Sequence, residues 1–286
     1  MAGGSLLPAH RREAGIMIAT IRAEWRKNRF RPAFLVGTGL IGAMTVLAYG
    51  VNWYLAHHPG SSDHPVSILT LYPDQFVNNV IGAGFPLGAA MAIVIGAIYS
   101  GSEFGWGTLK TMFTQSPGRL TVWAGRVVVF AAWMLIVTLV LFVLGAISSV
   151  VVAFFEGHAV TWPAAIDVAK GICAIWLIFV VNGALGMALG VLIKQSAAAL
   201  GLGLVYLLTV EVLVVRFIDA LNGGAFKWIG NLFVDQNAAA LLQSFVPVPV
   251  GKSLPISAEQ AVIVMAAYLV GLVVVAAGFL RLRDVT

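Results

Sequence analysis

Charge is scarce in this sequence. Asp, Glu, Lys and Arg make up 10% of its 286 residues, where a soluble domain carries about a quarter. Apolar residues make up 60%, and the mean hydropathy is +0.94. No soluble core of this size needs so much apolar surface, but a bilayer does. Cysteine is nearly absent: Cys173 stands alone inside an apolar run, so no disulfide framework forms within one chain. The alternation of polar and apolar residues over about ten positions that marks an outer-membrane strand is missing too.

Chemical motifs are equally sparse. No His-Glu-x-x-His and no Gly-x-Ser-x-Gly occurs. Gly251-Lys252-Ser253 looks like the end of a phosphate loop. Such a loop needs a glycine five residues before its Gly-Lys pair, and Val246 stands there. Pro247 and Pro249 also stiffen the backbone where amides would cradle phosphate. His57, His58, Asp63 and His64 lie close together on a Pro/Gly/Ser-rich loop without fixed helical spacing. That pattern fits a solvated loop better than a metal centre. The formal charge of +5 does not indicate nucleic acid, because the cations cluster beside apolar runs, where the positive-inside rule accounts for them. No catalytic residue, cofactor or metal is therefore expected in this chain.

What is present is a set of six nearly uncharged runs, over residues 33–55, 80–99, 127–152, 170–193, 197–217 and 260–280. About 20 apolar residues span the hydrocarbon of a bilayer as a helix, so the expected fold is an all-α membrane protein with six transmembrane helices. The first run is too long for a cleaved signal segment of about 7–15 apolar residues. Residues 1–15 read as a flexible extension, with Met1 and Met17 both candidate starts, and 16–286 as one transmembrane domain. With the N-terminus inside, the inner segments hold the basic cluster from Arg11 to Arg31, then Lys110, Arg119, Arg126, Lys194, Arg281 and Arg283. The outer segments hold Lys170, Arg216, Lys227 and Lys252 among Asp63, Asp74, Glu156, Asp167, Asp219, Asp235 and Glu259. This bias places both termini in the cytoplasm.

Three segments outside the spans carry further signals. In 16–31, Ile18, Ile21 and Trp25 share one helical face and Arg22, Arg26, Lys27 and Arg29 occupy much of the rest. That predicts an amphipathic interfacial helix with its cations near anionic headgroups; Pro32 then turns the chain into the membrane. In 100–126, Ser100-Gly-Ser-Glu103 matches a capping box, Trp106, Leu109 and Phe113 follow at helical spacing, and Pro117-Gly118 breaks the pattern. A short amphipathic helix under the membrane between spans two and three is expected, either as a partner's docking element or as a plain interfacial loop helix. In 216–259, the long outer connection is too apolar for water and is broken by Gly223-Gly224 and Pro247-Val-Pro249. It predicts re-entrant outer helices, tolerable only where protein or a wet cavity covers the breaks.

Within the spans, Glu211 is the costly residue. It either lines a pathway or gate, or accepts hydrogen bonds from the re-entrant backbone or pairs with Arg216. Asn52 and Asn182 are the other polar candidates, Asn182 as an interhelical hydrogen-bonder. Gly84-Phe-Pro-Leu-Gly88 and Gly186-Met-Ala-Leu-Gly190 give small-residue packing faces, and Pro86 predicts a kink in the second span.

The run from Ile98 through Glu103, Gly107-Thr108-Leu109-Lys110, then Pro117, Arg119 and Gly125-Arg126, resembles the cytoplasmic signature of ATP-binding cassette exporter permeases of the type-two class. Arg22-Ala-Glu-Trp-Arg-Lys27 is similar to the start of many bacterial members, and the resemblance runs from about Ile16 onward. Arg126 stands where that family usually has Lys, which keeps the charge. The resemblance implies a bacterial-type inner-membrane permease that pairs with a second permease, the same chain or a paralogue, and with a separate ATPase subunit holding ATP and Mg. It also implies that Glu103, Gly107, Thr108 and Lys110 dock into the ATPase, and that Glu211 lies near an exit gate formed by the re-entrant helices. Family substrates range from drugs and peptides to lipids, polysaccharides and ions. The alternative is an autonomous membrane protein, an ion-coupled transporter or an intramembrane enzyme built around Glu211.

Overall fold

The computed structural model describes residues 9–58, 66–85, 87–105, 118–220, 226–245 and 256–282, and the regular structure among them is helical. In chain order come α1 (Ala9–Asn28), α2 (Pro32–His57), two 3₁₀ turns, α3 (Phe76–Gly84), α4 (Leu87–Gly105), α5 (Arg119–Phe155) and α6 (Ala165–Ile193). Then follow α7 (Ser196–Val205), a π-helical turn (Tyr206–Val210), α8 (Glu211–Ala220), α9 (Lys227–Gly230), α10 (Val234–Gln243) and α11 (Ala258–Leu282). Five helical stretches are long and apolar enough to cross a membrane, and six if a bent pair counts as one span. The pair is α3 with α4, which bend by 51° around residues 85–86, where the sequence predicts a kink at Pro86; Pro86 itself lies outside the described residues. All six apolar runs fall on these helices.

The helices overrun the apolar runs for physical reasons. Pro32 sits in the first turn of α2, where its missing N–H is one of the unpaired donors anyway. Helix α5 begins at Arg119, a turn or two before its apolar stretch, and runs for 37 residues, about 55 Å at 1.5 Å per residue. Helix α1 starts at Ala9, inside the stretch expected to be an extension.

The centre of the bundle is α6 packed on α4. Their backbones approach closely because glycines line the seam. A Cβ at Gly186 would collide with the Ile93 carbonyl, and one at Gly190 with the Ser100 hydroxyl. The Gly186–Gly190 spacing thus does what small residues do between membrane helices. Indole N–H groups tie further helices together: Trp176 donates to the Ala131 carbonyl at 2.8 Å, Trp123 to the Val273 carbonyl at 3.1 Å and Trp133 to Thr38 Oγ1 at 3.3 Å. Helices α6 and α7 are joined by a turn in which Lys194 adopts φ 59 and its amide bonds the Gly190 carbonyl.

Candidate functional site

Two polar assemblies stand out in this apolar bundle, one at each end. The first lies where α4 ends and α5 begins, so it flanks the segment expected to meet a partner. Of the residues singled out in that segment, Gly107, Thr108 and Lys110 lie outside the described residues, and Glu103 is described only as backbone in the last turn of α4. The predicted capping box is corrected by the structure. Ser100 does not start a new helix, because α4 continues through it to Gly105. Its hydroxyl donates to the Met187 carbonyl at 2.8 Å and to Gly96, one turn back, at 3.2 Å. The second span is therefore longer than its apolar run, and Ser100 is an interhelical fastener.

Beside it sits a buried network that links three elements. Tyr99 of α4 donates its hydroxyl to Glu24 Oε2 of α1 at 3.2 Å. Asn28, one turn on from Glu24, donates to the same carboxylate at 3.2 Å and approaches the Tyr99 hydroxyl at 3.4 Å. From α5, Arg126 donates through Nη2 to the Tyr99 carbonyl and lays its guanidinium over the Tyr99 ring, 4.6 Å from the centroid. All four side chains are buried. A planar guanidinium can donate and stack at once, which a lysine ammonium cannot match; Arg126 thus supplies more than a charge at that position. Phe34, Phe130 and Trp133 close the network with edge and stacked ring contacts.

The face of α1 that enters the bundle is Thr20, Glu24 and Asn28, spaced four apart, with Thr20 against Gly125 of α5. Sequence reasoning followed the apolar face of this helix and passed over the polar one. The signal available was the spacing itself, three hydrogen-bonding residues at i, i+4, i+8. Ile16 and Ile18 are exposed.

The second assembly is at the other end and contains Glu211. The π turn at Tyr206–Val210 immediately precedes it and shifts the helix register, a distortion that recurs at functional sites. Glu211 is 0% exposed. Its Oε1 accepts the backbone N–H of Asp235 in the first turn of α10. That helix begins at Phe233, which offers no side-chain cap, so a carboxylate from the fifth span takes the role of the missing N-cap and meets the positive end of α10. The Tyr206 hydroxyl and the Gln236 amide also face the carboxylate, and Tyr268 is a second phenolic neighbour. A bond from the backbone of the 216–259 connection to Glu211 is present; Arg216 is exposed and makes no ion pair with Glu211 among the described residues. Asn237 secures the same turn by donating to the carbonyls of Asn231 and Phe233 at 2.8 and 2.7 Å.

The remaining candidates lie apart from both assemblies. Asn52 is half-buried on α2. Asn182 is buried on α6 but donates to Ile178 of its own helix at 3.0 Å, not across an interface as expected. Asp63 and His64 lie outside the described residues, and His57 sits 3.3 Å from Glu156. Beside α10 a cleft of about 990 Å³ opens between α3, α6 and α11, lined by Asp74, Asp167, Lys170, Glu259, Trp176 and Phe245.

The bundle thus joins five helical stretches long and apolar enough to cross a membrane, or six if the bent pair counts as one, to two buried polar assemblies, as a multi-pass membrane protein does. The family model for ABC-2 family transporter proteins matches residues 20–210, and the chain belongs to that family of transporter membrane components. No curated protein matches the chain.

Proposed function

We propose that this chain is the membrane subunit of an ATP-driven exporter. It works as a pair of permeases, each driven by a separate ATPase chain that holds ATP and Mg, and it moves substrate outward. Both termini face the cytoplasm of a bacterial-type inner membrane, with α1 at the inner interface. The family match carries the permease reading, and the strong inner excess of Lys and Arg supports the orientation.

The observation that supports energy entering near residues 100–126 is the network just inside it. An ATPase movement reaches the membrane only through a stiff connection. Here Tyr99 and Arg126, on the two flanks of residues 106–117, are bonded to each other, and Tyr99 is bonded in turn to α1. On this reading Glu103, Gly107, Thr108 and Lys110 hold the intervening segment in a groove of the ATPase, and Tyr99 and Arg126 pass its displacement into α4 and α5. Glu211 pins the outer helix α10, and the adjoining cleft is the exit vestibule.

The deciding experiment combines ATPase pull-down, ATP hydrolysis and transport on Glu103→Ala and Gly107→Pro. Loss of ATPase retention, or hydrolysis without export, supports docking at this segment. Wild-type binding and coupled transport in both variants would place the contact elsewhere.

A further inference from the structure

A second feature of α1 is not used by the proposed function and does not depend on any ATPase. Between α1 and α5 runs a groove of about 270 Å³, lined by Arg22, Arg26 and Arg29, by Trp25, and by Val128 and Val129 of the third span. Arg22 and Arg26 stand on the face of α1 opposite the Thr20–Glu24–Asn28 face that enters the bundle, and Arg29 follows just past the end of the helix. All three are exposed, and none has an ion-pair partner among the described residues. Arg29 lies over the ring of its neighbour Phe30 at 4.5 Å. Below them the floor is apolar and belongs to a membrane-crossing helix, where Val128 is 49% exposed. Trp25 stands at the boundary, 5.8 Å from Trp133.

We infer that this groove binds one anionic phospholipid, its phosphate held by Arg22, Arg26 and Arg29 and an acyl chain lying along Val128 and Ala132, the exposed apolar residues of α5 that line it. Arg22, Arg26 and Arg29 all line the groove, and their forked guanidiniums are a donor set matched to phosphate oxygens. Long basic side chains at a membrane surface lay their aliphatic stems on apolar surface and keep the charged head in water, which suits arginines beside an apolar floor. A free phosphate would have no use for the floor. An acidic protein segment would have to cover Val128, which projects from a spanning helix toward hydrocarbon. The lipid is the occupant that satisfies both halves of the groove.

The test uses the full chain in phosphatidylcholine nanodiscs containing increasing phosphatidylglycerol, with retained lipid counted by native mass spectrometry. Phosphatidylglycerol is expected to be retained in preference to phosphatidylcholine. Each of Arg22→Gln, Arg26→Gln and Arg29→Gln should weaken that retention about five-fold, since a basic residue near an anionic surface contributes on the order of 1 kcal/mol. Arg281→Gln, which makes the same charge change on exposed α11, should leave retention as it is. Val128→Trp fills the floor without changing charge and should displace the lipid as well. Retention that survives all three arginine changes, or survives Val128→Trp, overturns the site. Displacement of the lipid by excess inorganic phosphate would mark a simple anion patch and equally overturn it. If the triple arginine variant keeps its lipid but no longer captures the ATPase, this face belongs to a protein partner instead.

Discussion

A carboxylate taken out of water is expensive unless donors meet it, and Glu24 is 3% exposed with Tyr99 and Asn28 as its donors. Removing it strands both. Glu24→Ala is expected to lower stability by about 1–3 kcal/mol, read as an earlier thermal unfolding midpoint in detergent, and to loosen the coupling between hydrolysis and export. Glu24→Gln keeps an acceptor oxygen and should recover most of both. An alanine variant that unfolds as wild type would show that the network contributes nothing. Glu211 makes a parallel case at the outer end. Glu211→Ala removes the cap of α10, a loss of about 1 kcal/mol, and should speed hydrogen exchange of the Asp235 amide, whereas Glu211→Gln should protect it nearly as well as the native residue. Unchanged exchange in the alanine variant would leave α10 held by Asn237 alone. Glu211 was visible in the sequence because a charge inside an apolar run has few explanations. Glu24 was not, because it sits among cations on a helix that reads as superficial, and only the fold brings Tyr99 beneath it.

At the level of helices, the glycine seam between α4 and α6 leaves no room for growth. Gly186→Leu must drive the two backbones apart, and overpacking of this kind costs about 1–3 kcal/mol. Gly278 on α11 meets nothing within 4 Å, so Gly278→Ala should be neutral, or stabilise by up to about 1 kcal/mol through helix propensity. Thermal unfolding of the two variants side by side checks this; equal midpoints would mean the seam is looser than it is drawn here. The spans themselves were legible because run length alone specifies them, and the bend between α3 and α4 because proline forbids a continuous helix. The extension of α4 past Ser100 was not legible. Ser-x-x-Glu reads as a helix start only when its backbone N–H groups are free, and here they already belong to a helix whose Ser100 hydroxyl is claimed by α6. The residues expected to dock with an ATPase rest on family resemblance, and their side chains lie outside the described residues.

For the molecule as a whole, the asymmetry of charge predicts a direction that helix packing alone does not. In a Cys173→Ser background, cysteines placed at Ser62 and Asn222 should react with impermeant thiol reagents added outside, and one at Ser116 should not. The reverse pattern would invert the molecule and remove the basis for an inner coupling segment. A second whole-molecule expectation follows from α5, whose length of about 55 Å exceeds a hydrocarbon layer of about 30 Å. Because Arg119 near its inner end donates to the Leu280 carbonyl at the end of α11 at 3.3 Å, the third and last spans are joined where they leave the membrane and should shift together in any transport cycle. Paired spin labels on the inner ends of α5 and α11 should keep a constant separation between nucleotide-free and nucleotide-bound states of the assembled transporter.

The turn at Lys194 bears on how the protein is made. Only Lys194 and Gln195 separate α6 from α7, too few to let one helix cross the bilayer while its successor waits in water. The two are therefore expected to enter the membrane as a single hairpin during synthesis, with the cation at its tip kept on the side from which it came. A left-handed conformation is strained for a lysine and free for a glycine. Lys194→Gly would ease the turn but remove the charge that orients the hairpin, setting ease of folding against fidelity of insertion at one position.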